Sequence, residues 1–259
     1  IKIIQPPFRG EWEAEQWALA RLPPLPPEMG VQVPRFLAAE VGDKDWSYII
    51  MRRVAGTPMD VAWPQIDHGN RAQLMHAIGR LMAYVHNNST LGPGDHEQTW
   101  QTFLDGQRAA CQARHRKLGM PAWFVEQIPE YLAAAPLSPH PPLTLLTGEY
   151  TPFNLLVVQN QGQWQLSGMV DFADAFAGDP EYDLIGPVVF QGGGDRGLIH
   201  AFYEGYGRVP NGDDEKFRHR LMTLHLLHRF SNFARQVSLP DWQTKATSLG
   251  TLARLLWPS

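Results

Sequence analysis

The amino-acid sequence predicts an α+β fold of two unequal lobes, a sheet-rich one at the start and a larger helical one after it. Three observations carry this. Short apolar runs bounded by turn residues fill the first fifty positions, an apolar repeat at helical spacing begins near residue 74, and one pair of strand-like runs, at about 153–159 and 163–170, interrupts the helical part. A chain of 259 residues is long enough for two lobes, each with its own core.

In the first lobe, "IKII" reads as a strand, "PPFRG" as a turn and "EWEAEQWALARL" as a helix in which Trp12, Trp17, Leu19 and Leu22 recur at roughly helical spacing. The Pro-rich "PPLPPEMGVQVP" ends that helix, and "RFLAAEV" and "WSYIIMRRV" read as two strands around the turn "GDKD". After "AGTPM" the period changes, and Leu74, Ile78, Leu81, Met82 and Val85 fall on one helical face. Further helices are expected near 97–117, 122–134, 196–207, 213–236 and 243–257. The lobe boundary is drawn at Val54 to Gly56, giving units of 1–54 and 55–259.

Composition excludes several classes of function. Hydrophobic residues make up 44% and charged residues 19%, and no run approaches the ~18 apolar residues of a membrane-spanning helix. A formal charge of −4 and scattered Lys and Arg offer no basic stripe, so neither a nucleic acid nor a membrane is an expected partner. Cys111 stands alone and no leader-like segment opens the chain, which fits a reducing cytoplasm.

The chemistry concentrates in two stretches, "TGEYTPFN" at 147–154 and "DFADAFAGDPEYDL" at 171–184. A hairpin of the two intervening strands would bring Glu149, Asn154 and Asp171 together. Phosphoryl transfer from a nucleotide needs such a set: one carboxylate to orient a hydroxyl and take its proton, and hard oxygen ligands for magnesium. Glu149 and Asn154 are separated by four residues, the interval between Asp and Asn in the protein-kinase catalytic loop.

On these motifs the chain resembles the aminoglycoside phosphotransferase family, small-molecule kinases with a protein-kinase-like fold, and within it the hygromycin B phosphotransferase group. The family carries HGDxxxxN and then DFxDxxxGDPxYDL; the second motif is almost complete here. The resemblance implies ATP and Mg2+ as cofactors and a small-molecule hydroxyl acceptor, such as a cationic aminoglycoside. It implies that Glu149 orients and deprotonates the acceptor, that Asn154 and Asp171 hold magnesium, and that Lys2 meets the phosphates and pairs with Glu15, with Glu11 and Glu13 as rivals. It places Met51 behind the adenine and the backbone of Arg52 and Val54 against its edge. The acceptor site is expected from 96–135 and 195–230, where Asp105, Glu126, Asp195, Glu204, Asp213, Asp214 and Glu215 would suit a polycation.

Other features read as structural. Asp179 is a cap or brace, Asp183 organises the loop around the site, His86 packs and caps, and "QGGGDRG" at 191–197 is a loop. His225 and His228 are three apart but lack companions at zinc-like spacing. Three departures bear on activity. Glu149 replaces the family Asp and is longer by one methylene, Thr147 replaces a His that would brace the loop, and the glycine-rich hairpin that should cover the phosphates would precede Ile1. This stretch by itself is therefore expected to be weak or inactive. The alternative is a pseudokinase-like protein that binds nucleotide without transferring phosphate.

Overall fold

The structure is a computed structural model that describes residues 1–42, 45–92, 97–148, 150–208 and 214–258. The opening apolar runs form three antiparallel strands, β1 (Lys2–Ile4), β2 (Phe36–Val41) and β3 (Ser47–Met51), in the order β1-β3-β2. Lys2 lies opposite Ile49 across the sheet. Helix α1 (Arg9–Leu19) is tied to it by the Trp12 indole N–H, which donates to the Tyr48 carbonyl at 3.1 Å, and it buries Glu15 and Ala18. Period-2 alternation explains β3, with Ser47 and Ile49 buried and their neighbours less so.

Beyond Gly56 the chain enters the helical lobe. Gly56 has φ +144°, and a Cβ there would fall 2.5 Å from Ser167 Oγ. Only glycine fits both the angle and the space. Strand β4 (Thr57–Pro58) adds to a hairpin of β6 (Leu155–Asn160) and β7 (Gln163–Met169). Gln161 and Gly162 both have positive φ, the two-residue turn that matches strand twist.

The predicted helical face from Leu74 to Val85 is found in α3 (His68–Asn88), whose first turn is capped by Asp67 accepting from the Asn70 N–H. Against it packs α7 (Arg196–Tyr206), so closely that a Cβ on Gly79 would lie 2.2 Å from the Phe202 carbonyl oxygen. Helix α4 (Glu97–Lys117) follows the expected span. Three other expected helices are broken. The 122–134 segment forms Ala122–Val125 and Ile128–Ala133, with Pro129 starting the second, and the 213–236 segment stops at Leu227 and resumes at Phe233. The 243–257 segment likewise divides at Ser248, whose capping box opens α11 (Leu249–Leu256).

Pairings between distant short segments were not expected. Strands β5 (Thr144–Leu146) and β8 (Phe176–Gly178) pair antiparallel, and Pro187–Gly192 form a π-helix where a loop begins in the sequence reading. Gly193 ends it in the left-handed region, and Asp195 then caps α7. No helix among the described residues is long and apolar enough to cross a membrane.

Candidate active site

Strand β5 delivers the chain to Thr147 and Gly148, and hairpin β6–β7 closes the loop that follows. Glu149, the expected catalytic carboxylate, lies outside the described residues. Its neighbour Gly148 has φ +73°, and a Cβ there would lie 3.0 Å from the Asp174 carbonyl oxygen, so the loop passes close to the second motif.

The loop is held through its backbone. The Asp183 carboxylate accepts from the Thr147 N–H at 3.0 Å and the Gly148 N–H at 2.9 Å. On its other side stands His86, with Nε2 3.3 Å from Asp183 and Nδ1 3.0 Å from the Tyr206 hydroxyl. His86 is therefore a bridge from α3 to the loop brace, a role beyond the packing and capping expected from sequence. The loop with Thr147 in place of the family histidine is thus held at two successive amides.

Asn154 and Asp171 sit at the same end of the hairpin. Leu155 pairs with Met169, and one step further the Val170 N–H donates to the Asn154 carbonyl at 2.9 Å. Asp171 is next in the chain, with φ +64°, a conformation uncommon for a non-glycine residue and costing on the order of 1 kcal/mol or more. Its surroundings hold it there.

Lys2 supplies the constraint. Its ammonium donates to Glu15 Oε2 at 2.5 Å and to Asp171 Oδ1 at 2.6 Å, and Glu15 Oε1 accepts from the Phe172 N–H at 3.3 Å. Among the three acidic residues on α1, Glu15 is the one whose side chain is fully buried, and neither Glu11 nor Glu13 meets Lys2. Burial by itself would lower the pKa of Lys2, but the hydrogen bonds to Asp171 and Glu15, with their charges, outweigh it and raise the value. Lys2 is a fixed cation.

A cleft of about 410 Å³ opens beside this pair, lined among others by Lys2, Glu15, Met51, Arg52, Val54 and Asp171. The expected nucleotide contacts thus share one hollow. The Arg52 N–H donates to the Arg35 carbonyl at 2.9 Å and is therefore already engaged within the protein. A second hollow, of about 180 Å³, lies on the helical side of the loop and touches Gly148 and Thr151.

Sequence reasoning missed a further layer of support. Glu181, in the turn between Asp179 and Asp183, accepts from Arg208 at 2.6 Å and from Arg220 at 2.9 and 3.0 Å. Asp174 accepts from Arg229 at 3.0 Å. These partners lie 27 to 55 positions away, and no local signal reveals them. Asp179 accepts from the Glu181 N–H at 2.9 Å as a cap, and burial pushes its carboxyl up to about 6. Histidines 225 and 228 stack instead on Phe233 and Tyr182.

Comparison with known proteins bears on this arrangement. The model of the phosphotransferase enzyme family matches residues 2–219. The GDP complex of wild-type aminoglycoside 2'-phosphotransferase-IIIa is 14% identical, with 96% of this chain and 82% of that chain covered and a TM-score of 0.56. Aminoglycoside-3'-phosphotransferase of type VIII is 19% identical, with 87% and 82% covered and a TM-score of 0.54. A choline/ethanolamine kinase family protein from Mesorhizobium loti is 19% identical, with 99% and 82% covered and a TM-score of 0.54. At these identities the structural likeness is one of fold.

Proposed function

Because the chain belongs to the phosphotransferase enzyme family, we propose that it moves the γ-phosphoryl group of ATP, with magnesium, to a hydroxyl of a small molecule. One observation carries the reading: Lys2 bonds Glu15 and Asp171 together in the same cleft that Met51, Arg52 and Val54 line. That cleft suits a nucleotide, with apolar walls for a base at one end and a fixed cation for phosphate at the other.

The residues present fit a magnesium ion. Asp171 and Asn154 offer hard oxygen donors at one end of a rigid hairpin. Magnesium keeps phosphate and water as most of its ligands, so one carboxylate and one amide from the protein suffice. Such an ion neutralises charge on the phosphoryl group. Lys2 holds the phosphates, Asp183 fixes the loop, and Glu149 orients the acceptor hydroxyl and receives its proton. Residues 1–54 are then the nucleotide-binding part and 55–259 the part that carries the catalytic loop. A cytoplasmic setting accords with Cys111, a buried thiol whose pKa burial raises to about 11.

A second reading, nucleotide binding without transfer, rests on Glu149 and Thr147 standing where the family has Asp and His. Turnover of ATP by the full-length protein separates the two, measured with hygromycin B, kanamycin, simple amino alcohols and uncharged aryl alcohols beside Glu149→Ala and Asp171→Ala. Acceptor-dependent turnover that both substitutions abolish is the expected result. Nucleotide binding that only Asp171→Ala removes, without turnover on any acceptor class, would favour the second reading.

A further inference from the structure

The acceptor's chemistry is legible in the second hollow. It begins at Gly148 and Thr151, on either side of Glu149 in the chain, so whatever occupies it is presented to the catalytic loop. Its walls are apolar: Phe153, Ile185, Val189, Phe190 and Phe230, with the Phe153 and Phe190 rings edge to face at 6.0 Å. Among the described residues its lining contains no carboxylate.

The acidic residues that would suit a polycation are engaged elsewhere. Asp195 caps α7 and pairs with His68 at 3.0 Å, Asp214 caps the helix Glu215–Leu227, and Glu215 pairs with Arg254 at 2.9 Å. Asp105 pairs with Arg108 and Glu204 with His200, each within one helix. Glu126 is exposed and does not line the hollow, and Asp213 lies outside the described residues.

Two polar side chains in the lining lack partners. Both ring nitrogens of His225 and the hydroxyl of Ser231 are buried without a hydrogen bond, and the two residues are 1% and 2% exposed. Leaving such groups unpaired is costly, so they call for a ligand or a water. Burial holds His225 neutral at any ordinary pH. A neutral imidazole offers one donor and one acceptor, and a hydroxyl offers both. Uncharged oxygen groups suit walls without a carboxylate, whereas an ammonium would meet no counter-charge among the described lining residues. Size agrees: a cavity of about 150 Å³ accepts benzene, and this one is about 180 Å³. One ring fills it, and a multi-ring aminoglycoside would leave its other rings outside.

We infer that this hollow is the acceptor subsite and that it takes an uncharged alcohol with a compact, ring-sized apolar body. The inference rests on the phosphotransfer reading above. In that step the alcohol oxygen bonds to the γ-phosphorus and the bond from that phosphorus to the β,γ-bridging oxygen breaks. ADP leaves with the electron pair, and the hydroxyl proton passes to the Glu149 carboxylate.

The test begins with binding, without nucleotide, so that it does not depend on turnover. Ligand-observed NMR on the full-length protein would compare benzyl alcohol, 2-phenylethanol and toluene with choline and kanamycin. Saturable binding by the aryl alcohols and none by the two cations is expected. Val189→Phe, with its fold checked by circular dichroism, should abolish that binding, and Ser231→Ala should weaken the alcohols about 3- to 10-fold while sparing toluene. Turnover with ATP and magnesium is then measured on the same panel. Preferred binding or phosphorylation of kanamycin or choline would overturn the inference while the phosphotransferase reading stood. Aryl-alcohol binding that Val189→Phe leaves untouched would also overturn it, because the site would lie elsewhere. Binding in the hollow with no phosphate transferred to any acceptor would keep the ligand class and sink the phosphotransferase reading.

Discussion

Asp183→Asn exchanges a carboxylate that accepts from two successive loop amides for a side chain with one acceptor oxygen. In the wild type the Thr147 and Gly148 N–H groups each have their own carboxylate oxygen, at 3.0 and 2.9 Å, in a buried setting. The asparagine can keep its oxygen on Gly148 and turn its amide toward His86 Nε2, but the amide then faces the Thr147 N–H, donor to donor. One charge-assisted bond contributes about 1.5–3 kcal/mol, and a buried donor left unmet costs about 1–3 kcal/mol. Relaxation recovers part of that total, and a net loss of about 3 kcal/mol follows. For a chain of this size that corresponds to a fall in Tm of roughly 6–12 °C, read by calorimetry. A loop displaced by about 1 Å would lower turnover on the order of 100-fold. Nucleotide affinity, set in the cleft by other elements, should change little. A variant within 2–3 °C of wild type (about 1 kcal/mol) and with unchanged turnover would refute the view that Asp183 positions the loop.

Three other predictions follow from the same geometry. Gly79→Ala should destabilise by at least about 3 kcal/mol, because its Cβ would meet backbone atoms of α7 that cannot move aside; Gly106→Ala, exposed in α4 with nothing near, should instead stabilise by about 0.5–1 kcal/mol, and urea titrations of the pair check the sign. Lys2→Met and Glu15→Gln should couple by about 1–3 kcal/mol in a double-mutant cycle on stability, and additive effects would count against a shared network. The protein should also be acid-labile: burial lowers the pKa of His115 to about 4 and holds His225 well below 6.5. The unfolded chain takes up those protons first, so stability present above about pH 6.5 is lost as pH falls, by about 2 kcal/mol for His115 at pH 5, with a loss of the same sign for His225. His228, lowered to about 3 by burial, adds less because its edge reaches the hollow. Asp179, raised to about 6, acts with the opposite sign between about pH 4 and 6. A urea midpoint that does not fall between pH 6.5 and 5 would refute the balance.

What the sequence disclosed was local or motif-bound. Regular periodicity announced α3, apolar runs bounded by turn residues announced β3 and the β6–β7 hairpin, and the motif from Asp171 to Leu184 pointed to the candidate site. Lys2 and Glu15 were legible only because the motif supplied a partner scheme; Lys2 otherwise resembles any charged residue near a chain end. The strands β4 and β8, with two and three residues, carry too little pattern to register. The break after Leu227 depends on His228 adopting extended dihedrals, which nothing in "LHLLHRFSNF" requires. The second hollow was illegible for a deeper reason: its lining comes from the loop after β5, the stretch from Ile185 to Phe190, and the end of the helix Glu215–Leu227 with the segment after it, which meet only in the folded chain.

The β6–β7 hairpin makes the two ends of one short ribbon unequal in their tolerance of change. Asn154 and Asp171 are fixed to each other by ladder register at one end, while the other ends in Gln161 and Gly162, exposed and two residues long. Adding a residue within either strand would turn every following side chain to the opposite face and separate the two oxygen donors. Residues inserted between Gln161 and Gly162 would lengthen only the tip, leaving the pairing that reaches Asn154 intact. That turn is where a tag, a label or a sensing domain can be grafted at the point farthest along the ribbon from the chemistry.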